Sequence, residues 1–437
     1  VPNIFSKIKN RKARVAVIGL GAVGLPLCVE IVKAGFTVTG IDRSSNRIAD
    51  LKQGLDLPAR LLKDVFLNWM KEEKLHIKSG YQDLDVCDVI CLAVPTPLAD
   101  DDSPDLRPLL EALDLLRQYL KPGQAIWVES TLYPGATEEV IRPFLEATGL
   151  RAGRDFYLAV SPERLNPGDT RFPLSEIPKL VGGVDAVSTE ACASFYQSFI
   201  KEVIPLSSAR AAEAAKCFEN AFRFVNIALV NEFALAAPHL KVDPWEVLEA
   251  AATKPFGFMP FSPGPGVGGA SLHAASHFLR WKTEQDAPRD AFPLPRGLIE
   301  TADSIHALMA EKVVEKVEEG LQPAGKMLRG SRLILLGVAY KENVSDTRHS
   351  PALRVVEILL KKGADLSYWD PHVPVLKARD REFLSLQDPD LSAFDAAILI
   401  TPHDSFDLSR VVRESNLLID PRNAARGFPE YRHKILR

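Results

Sequence analysis

The run Arg14–Leu20 (RVAVIGL) ends in Gly19-Leu20-Gly21-Ala22-Val23-Gly24, continues into the amphipathic stretch LPLCVEIVKAG and reaches a second β-branched run, FTVTGID, that closes on Asp42. Strand, glycine-rich turn, helix, strand and a terminal acid about twenty residues on form a dinucleotide-binding signature, which commits the N-terminal part of the chain to a doubly wound parallel sheet. Gly19 makes the tight turn, Gly21 lets a pyrophosphate approach the helix N-terminus, and Gly24 permits close helix packing, with Val23 in the same turn. A carboxylate at Asp42 accepts hydrogen bonds from ribose hydroxyls and repels a 2′-phosphate, so the expected cofactor is NAD rather than NADP. Arg43 is a residue type that serves a 2′-phosphate, but beside Asp42 it is read as lying along the adenine.

A chain of 437 residues has room for two or three domains with buried cores. Its net charge of −4 and lack of a basic block argue against nucleic acid as a partner. No run of about 18 apolar residues is present to span a bilayer, and the N-terminal stretch VPNIFSKIKNRKAR lacks the apolar core of a signal peptide. The expectation is a cytoplasmic protein with no membrane partner. The five cysteines, Cys28, Cys87, Cys91, Cys192 and Cys217, are scattered through helix- or strand-like segments, which suits buried free thiols in a reducing compartment. Cys87 and Cys91 have no second ligand pair nearby, so no metal is expected.

Two more strand-like runs end in polar turns. DVICLAV leads into Pro95-Thr96-Pro97, and AIWVES leads through Ser130-Thr131 into Pro134-Gly135. Ligands bind at the carboxyl ends of the strands in such sheets, so these residues are candidates for the cofactor site. From Arg210 to Ala237 the chain reads as one long helix without Gly or Pro, with an apolar set including Phe218, Phe222, Val225, Leu229 and Phe233. Glu213, Lys216, Asn220 and Arg223 are spaced to share a face, read here as one that looks into a cleft. Lys216 can stabilise a developing alkoxide and Asn220 can donate a second hydrogen bond to the same oxygen.

The stretch from Thr253 to Lys282, TKPFGFMPFSPGPGVGGASLHAASHFLRWK, packs nine Pro and Gly into the fifteen residues from Pro255 to Gly269. It is therefore a shaped loop rather than a helix or central strand. The glycines allow close approach of a ligand, and Phe256, Phe258 and Phe261 stiffen the loop. After Gly269 the pattern becomes helical, which puts Ala270 to His273 at the loop-to-helix junction, where the chemistry is expected.

The pattern FGFMPF.PGPGVGG with FL.WK after it resembles the active-site loop of the nucleotide-sugar 6-dehydrogenases, the UDP-glucose dehydrogenase superfamily. The resemblance is closest to the branch that oxidises UDP-N-acetylglucosamine or UDP-N-acetylmannosamine. It extends over about residues 13 to 425 through VPTP, ST..PG, SPER..PG (Ser161–Arg164 with Pro167-Gly168), E..K..EN on the long helix, GVAYKENVSDTRHSPA and Asp420-Pro421-Arg422-Asn423. It implies that Pro95, Thr96, Ser130 and Thr131 line the nicotinamide side. It also implies that Glu163 helps hold a water, that Lys216 and Asn220 bind the reacting oxygen, and that Tyr340, Lys341 and Arg422 contact nucleotide and sugar. Arg164, Leu165, Phe261, Gly264 and Gly268 complete the implied substrate set. The resemblance implies a homodimer built on the long helix and the segments after it.

From Gly330 the pattern returns to α/β in RLILLGVAY, PALRVVEILLKKG, DLSYWDPH, FDAAILITP and NLLIDPR. Gly337-Val338-Ala339-Tyr340-Lys341 lacks the three-glycine turn, so this is not a second dinucleotide site. The expected fold is α/β, with two doubly wound Rossmann-like domains joined by a long central helix and a helical dimerisation domain. The expected boundaries are 1–208 for NAD binding, 209–325 for the central active-site domain and 326–437 for UDP binding.

The chain departs from the family at the site itself. Where the family has His-Cys-Ile-Pro-(Val/Ile)-Asp-Pro after the double glycine, this chain has Ala270-Ser271-Leu272-His273-Ala274-Ala275-Ser276. Ser271 takes the position of the nucleophilic cysteine, and Ala275 that of the aspartate. A serine hydroxyl needs an activating base to replace a thiol, and His273, two residues on, does not face it on a helix. His273 and His277 are read as surface histidines at a helix start, with new catalytic groups as the alternative. The leading expectation is a single, reversible hydride transfer on a UDP-N-acetylhexosamine. The alternatives are an NAD-retaining epimerase, a four-electron dehydrogenase using Ser271 or altered deliberately at 270–276, and a non-catalytic nucleotide-sugar binder.

Overall fold

The computed structural model describes residues 4–55, 57–58, 61–166, 168, 171–287, 297–378 and 381–437. Pro167 of the SPER..PG pattern lies outside them. The chain forms two compact units, Val1–Glu219 with Ala274–Ala291, and Asn220–His273 with Phe292–Arg437.

The first unit is built on β1 (Arg14–Ile18), β2 (Thr37–Ile41), β3 (Leu75–Lys78), β4 (Val89–Leu92), β5 (Ala125–Val128), β6 (Tyr157–Val160), β7 (Lys179–Gly183) and β8 (Val203–Pro205). They form one sheet in the order β3-β2-β1-β4-β5-β6-β7-β8, parallel except where β7 runs against β6. Val15 pairs with Val38 on one side and Val89 on the other. The strands β1, β2, β4, β5 and β6 are buried along almost their whole length because both faces are covered. One cover packs Val15, Val17, Leu27, Cys28, Trp127 and Phe195; the other packs Ile18, Ile90, Leu113, Val128 and Leu158. All five cysteines are buried free thiols. The expected β1, β2, β4, β5 and the Gly24–Lys33 helix are present.

The second unit carries a parallel sheet of β9 (Arg332–Leu336), β10 (Asp365–Trp369), β13 (Ala396–Leu399), β14 (Leu418–Ile419) and β15 (Ile435–Leu436), ordered β10-β9-β13-β14-β15. β11 (Val375–Ala378) and β12 (Arg381–Leu384) pair antiparallel in a separate two-stranded sheet. The Pro351–Lys362 helix begins where Ser350 Oγ accepts the Ala352 N–H and ends at Gly363 in the left-handed region. It packs against the Leu298–Leu321 helix over a core of Val313, Val317, Leu335, Val355 and Leu359.

The central helix spans Ala209–Leu240, longer than the sequence expectation at both ends, and includes Pro238. A proline costs a helix its N–H bond and crowds the preceding turn, but here only the terminal turn is affected. Three of the five apolar residues read along it face solvent: Phe218 is 65%, Phe222 43% and Leu229 59% exposed. Phe224 and Ala228 supply the buried contacts instead, against Ala302 and Leu272. Periodicity located a stripe but not the side it turns to. No helix among the described residues is long and apolar enough to cross a membrane.

Candidate active site

The glycine turn after β1 fits a dinucleotide on steric grounds. A Cβ at Gly24 would fall 1.8 Å from the Gly19 carbonyl oxygen, and one at Gly19 would fall 2.4 Å from that of Ala93. A Cβ at Gly21 would meet nothing within 4 Å, so its side of the turn is open for a phosphate to approach. Gly24 opens the helix and Val23 precedes it as the cap. Asp42 Oδ2 accepts the Leu20 N–H at 2.8 Å and Oδ1 accepts that of Ser44 at 2.9 Å, which locks the acid at the end of β2. Both oxygens keep acceptor capacity for ribose hydroxyls. Arg43 is exposed and pairs with Glu111 at 3.2 Å.

The two proline- and threonine-bearing strand ends are tied together. Thr96 Oγ1 donates to the Thr131 carbonyl at 2.5 Å and Ser130 Oγ to that of Val94 at 2.7 Å, while Pro95 is exposed. Glu213 holds this region from the central helix: its carboxylate accepts from Gly135 N, Thr137 N and Thr137 Oγ1 at 2.6, 2.9 and 2.6 Å. Burial pushes the Glu213 carboxyl up to about 7, against the pull of those donors. Of the four residues read as one cleft-facing stripe, Glu213, Lys216 and Asn220 are buried and Arg223 is exposed. The shared face is real for three of them, and Glu213 works as an anchor of the Gly135 turn.

Glu163 is buried after β6. Its Oε1 accepts the N–H groups of Arg164 and Leu165 at 2.7 and 2.6 Å, and its Oε2 lies 3.4 Å from Lys179 Nζ. Lys179 also donates to Glu129 Oε2 at 2.6 Å and the Ser161 carbonyl at 3.3 Å, and Tyr196 donates its hydroxyl to Glu129 Oε1. Burial pushes the Glu129 carboxyl up to about 7, with Lys179 pulling it down and Glu163 adding to the rise. Burial works against the charge on Lys179, yet the two carboxylates outweigh it and leave the ammonium raised above its ordinary value. Arg164 is committed to Glu219 at 2.7 Å and to the Pro178 carbonyl. The roles of Glu129 and Lys179 were missed from sequence, although an acid directly after the apolar run AIWV was a signal.

In the second unit the shaped loop is held by its own neighbours. Gly264 N donates to Asn231 Oδ1 at 2.9 Å and Gly269 N to the Arg348 carbonyl at 2.9 Å, and Phe261 packs on Phe222 with ring centroids 6.0 Å apart. A Cβ at Gly268 would lie 2.8 Å from Tyr340 Cβ, one at Gly269 2.8 Å from the Tyr340 ring, and one at Gly264 3.3 Å from an Arg422 guanidinium nitrogen. Gly264 is thus a neighbour of Arg422, and Gly268 of Tyr340, with Lys341 next to Tyr340 in the chain. Arg422 Nε donates to the Ile400 carbonyl at 2.8 Å, which orients the guanidinium. Asn231, fully buried, carried no sequence signal.

A helix starts at Ala270, as the pattern predicts. Ser271 is exposed in its first turn; its carbonyl accepts from Asn220 Nδ2 at 3.0 Å, and its hydroxyl makes no hydrogen bond among the described residues. His273 Nε2 instead pairs with Asp303 Oδ1 at 3.0 Å, and its ring stacks on that of His349. His277 is 1% exposed, so the reading of it as a surface histidine is wrong. It is drawn in with Ala274, Ala275 and Phe278 on the buried side of the helix. Ala275 is fully buried.

Residues 13–200 match the NAD binding domain of the UDP-glucose/GDP-mannose dehydrogenase family, 210–294 its central domain and 334–427 its UDP binding domain. A UDP-N-acetyl-D-glucosamine 6-dehydrogenase of Pseudomonas aeruginosa is 36% identical over 90% of this chain and 91% of its own length. The solved UDP-D-ManNAc dehydrogenase of Pyrococcus horikoshii superposes with a TM-score of 0.82 at 32% identity, covering 94% of this chain and 95% of that one. An NDP-N-acetyl-D-galactosaminuronic acid dehydrogenase of Methanosarcina mazei superposes at 0.78 and 28% identity, covering 97% and 94%. With a glycine turn that fits NAD in one unit and three domain matches along its length, the chain belongs to the UDP-glucose/GDP-mannose dehydrogenase family, a family of NAD-dependent oxidoreductases.

Proposed function

We propose that the chain carries out one reversible NAD-dependent hydride transfer on a UDP-N-acetylhexosamine and stops short of the thiol-dependent second oxidation. The observation that carries this is the Ser271 hydroxyl, exposed at the head of its helix and, among the described residues, without a hydrogen-bonded base. An unactivated hydroxyl at neutral pH does not form the covalent adduct that a thiolate would. The family's aspartate position holds Ala275 in a fully buried apolar setting, so no carboxylate is available there. Lys216 stabilises the developing alkoxide, and Asn220 supplies an N–H that remains after its bond to the Ser271 carbonyl. NAD, when bound, accepts or returns the hydride. Thr131 and Glu163 border the reacting carbon, while Tyr340, Lys341 and Arg422 take the nucleotide. The N-acetylhexosamine assignment draws on relatives named for UDP-N-acetyl-D-glucosamine and UDP-N-acetyl-D-mannosamine, and on the resemblance of this chain's FGFMPF.PGPGVGG loop to that branch of the family.

The working form is a homodimer through the exposed face of the central helix, in the cytoplasm, with functional domains divided near residues 208 and 325. The deciding measurement is NADH formed per UDP-N-acetylglucosamine consumed, with the product's mass. One NADH with an aldehyde or ketone is expected. Two NADH with a carboxylate would restore the four-electron reaction, and no net NADH with an isomerised sugar would make the chain an epimerase.

A further inference from the structure

Lys179 is the buried junction of two strand ends. Its three N–H bonds are matched by three acceptors: Glu129 Oε2, the Ser161 carbonyl and Glu163 Oε2. Its ammonium also lies 5.0 Å from the centre of the Tyr196 ring. Glu129 directly precedes Ser130-Thr131, and Ser161 and Glu163 belong to the SPER turn, so one cation on β7 joins both segments. Lys179 is 3% exposed, and a charge so buried is retained against a large desolvation cost only where its partners are fixed. The Glu163 carboxylate has one oxygen filled by two backbone N–H groups, and Lys179 is the sole side-chain partner of the other among the described residues.

We propose that Lys179 is a positioning residue for the oxidoreductase reaction: it fixes the Glu163 carboxylate so that the remaining acceptor capacity of Oε2 faces substrate or a bound water. Glu129 and Tyr196 complete the mount. Glu129 supplies the closest counter-charge and Tyr196 satisfies its second oxygen. Lys179 touches no substrate in this scheme, and its effect passes through Glu163. The inference rests on the placement of Glu163 at the reacting carbon and is independent of whether one or two hydrides are transferred.

The test is a double-mutant cycle of Glu163→Gln and Lys179→Met in the full-length protein. It is read as kcat with UDP-N-acetylglucosamine and NAD, with the UDP-N-acetylglucosamine dissociation constant measured calorimetrically alongside. Each single change is expected to lower kcat by roughly 100-fold, the scale of a misplaced catalytic group, with little change in the KM for NAD. The double variant is expected to be no worse than either single one, and Lys179→Arg to recover most of the loss. Because Lys179→Met leaves the buried Glu129 without its counter-charge and with only the Tyr196 hydroxyl as side-chain partner among the described residues, Lys179→Met with Glu129→Gln provides a control that removes the stranded charge and still frees Glu163. Losses that multiply in the double variant would make Lys179 a structural residue only and overturn the inference. A Glu163→Gln enzyme of full activity and unchanged affinity would instead remove its basis, the placement of Glu163.

Discussion

His273 Nε2 and Asp303 Oδ1 lie 3.0 Å apart, tying the first turn of the Ala270–Asp286 helix to the Leu298–Leu321 helix. The ring of His273 lies edge-on to Phe224 at 5.9 Å and is stacked on His349 at 5.7 Å. This orients the imidazole toward neighbouring elements of its own unit. The pair is part-exposed, 24% and 41%, so solvent screening keeps its worth small. His273→Ala is expected to cost about 1 kcal/mol of stability and to leave kcat within roughly tenfold, as chemical denaturation and steady-state rates would show. A loss of several orders of magnitude in kcat with native stability would make His273 a catalytic base.

Glu213 gives the pH dependence a definite sign. Its folded carboxyl is raised from 4.5 to about 7 by burial, so the native state holds a proton that the unfolded chain releases across that window. Its stabilising contribution is present below about pH 4.5 and is lost as the pH rises toward 7. Glu213→Gln should flatten that slope. The difference between wild type and variant in urea unfolding should fall by as much as about 3 kcal/mol from pH 4.5 to 7.5, and a constant difference would contradict the assignment.

What the sequence revealed here follows from how local each signal is. The turn from Gly19 to Gly24 is a local steric solution, so the sequence could mark its three glycines, and the structure shows Gly19 and Gly24 crowded by backbone and Gly21 open. The helix start at Ala270 was legible for the same reason. Lys179, Glu129 and Asn231 were not, because their meaning lies in partners 16 to 67 residues away. His277 shows the limit of patterning: nothing in ASLHAASHFL says which side of the helix meets the core.

The exposed stripe of the central helix predicts assembly. Phe218, Phe222 and Leu229 recur at helical spacing and are 43–65% exposed, more apolar surface than one helix of a monomer commonly leaves open. Phe222→Glu with Leu229→Glu should convert a dimer to a monomer in sedimentation equilibrium without unfolding it. A wild-type chain that sediments as a monomer would refute the assembly.

Gly21 and Gly24 should respond differently to the same added methyl. At Gly24 it collides with the Gly19 carbonyl at 1.8 Å, so Gly24→Ala should distort the turn and lower the melting temperature. At Gly21 it meets no protein atom, so Gly21→Ala should melt as wild type yet bind NAD at least tenfold more weakly, by intruding where the pyrophosphate approaches. Equal NAD affinity in Gly21→Ala would mean that the cofactor does not lie against this turn.

A cysteine at position 271 tests the proposed single-hydride reaction. Ser271→Cys places a sulfur at an exposed position in the first turn of a helix, where the N-terminal dipole favours the thiolate, so iodoacetamide should label it readily. Labelling alone does not rebuild the reaction, because Ala275 still lacks a carboxylate. Ser271→Cys is therefore expected to keep a stoichiometry of one NADH. Adding Ala275→Asp would put a charge at a fully buried position and should cost several kcal/mol, about the penalty for an unpaired buried carboxylate, unless Lys216 pairs with it. With a wild type that yields one NADH, a double variant that folds and yields two NADH with a carboxylate would assign the second oxidation to these two positions. A second NADH from Ser271→Cys alone would show that the aspartate is dispensable.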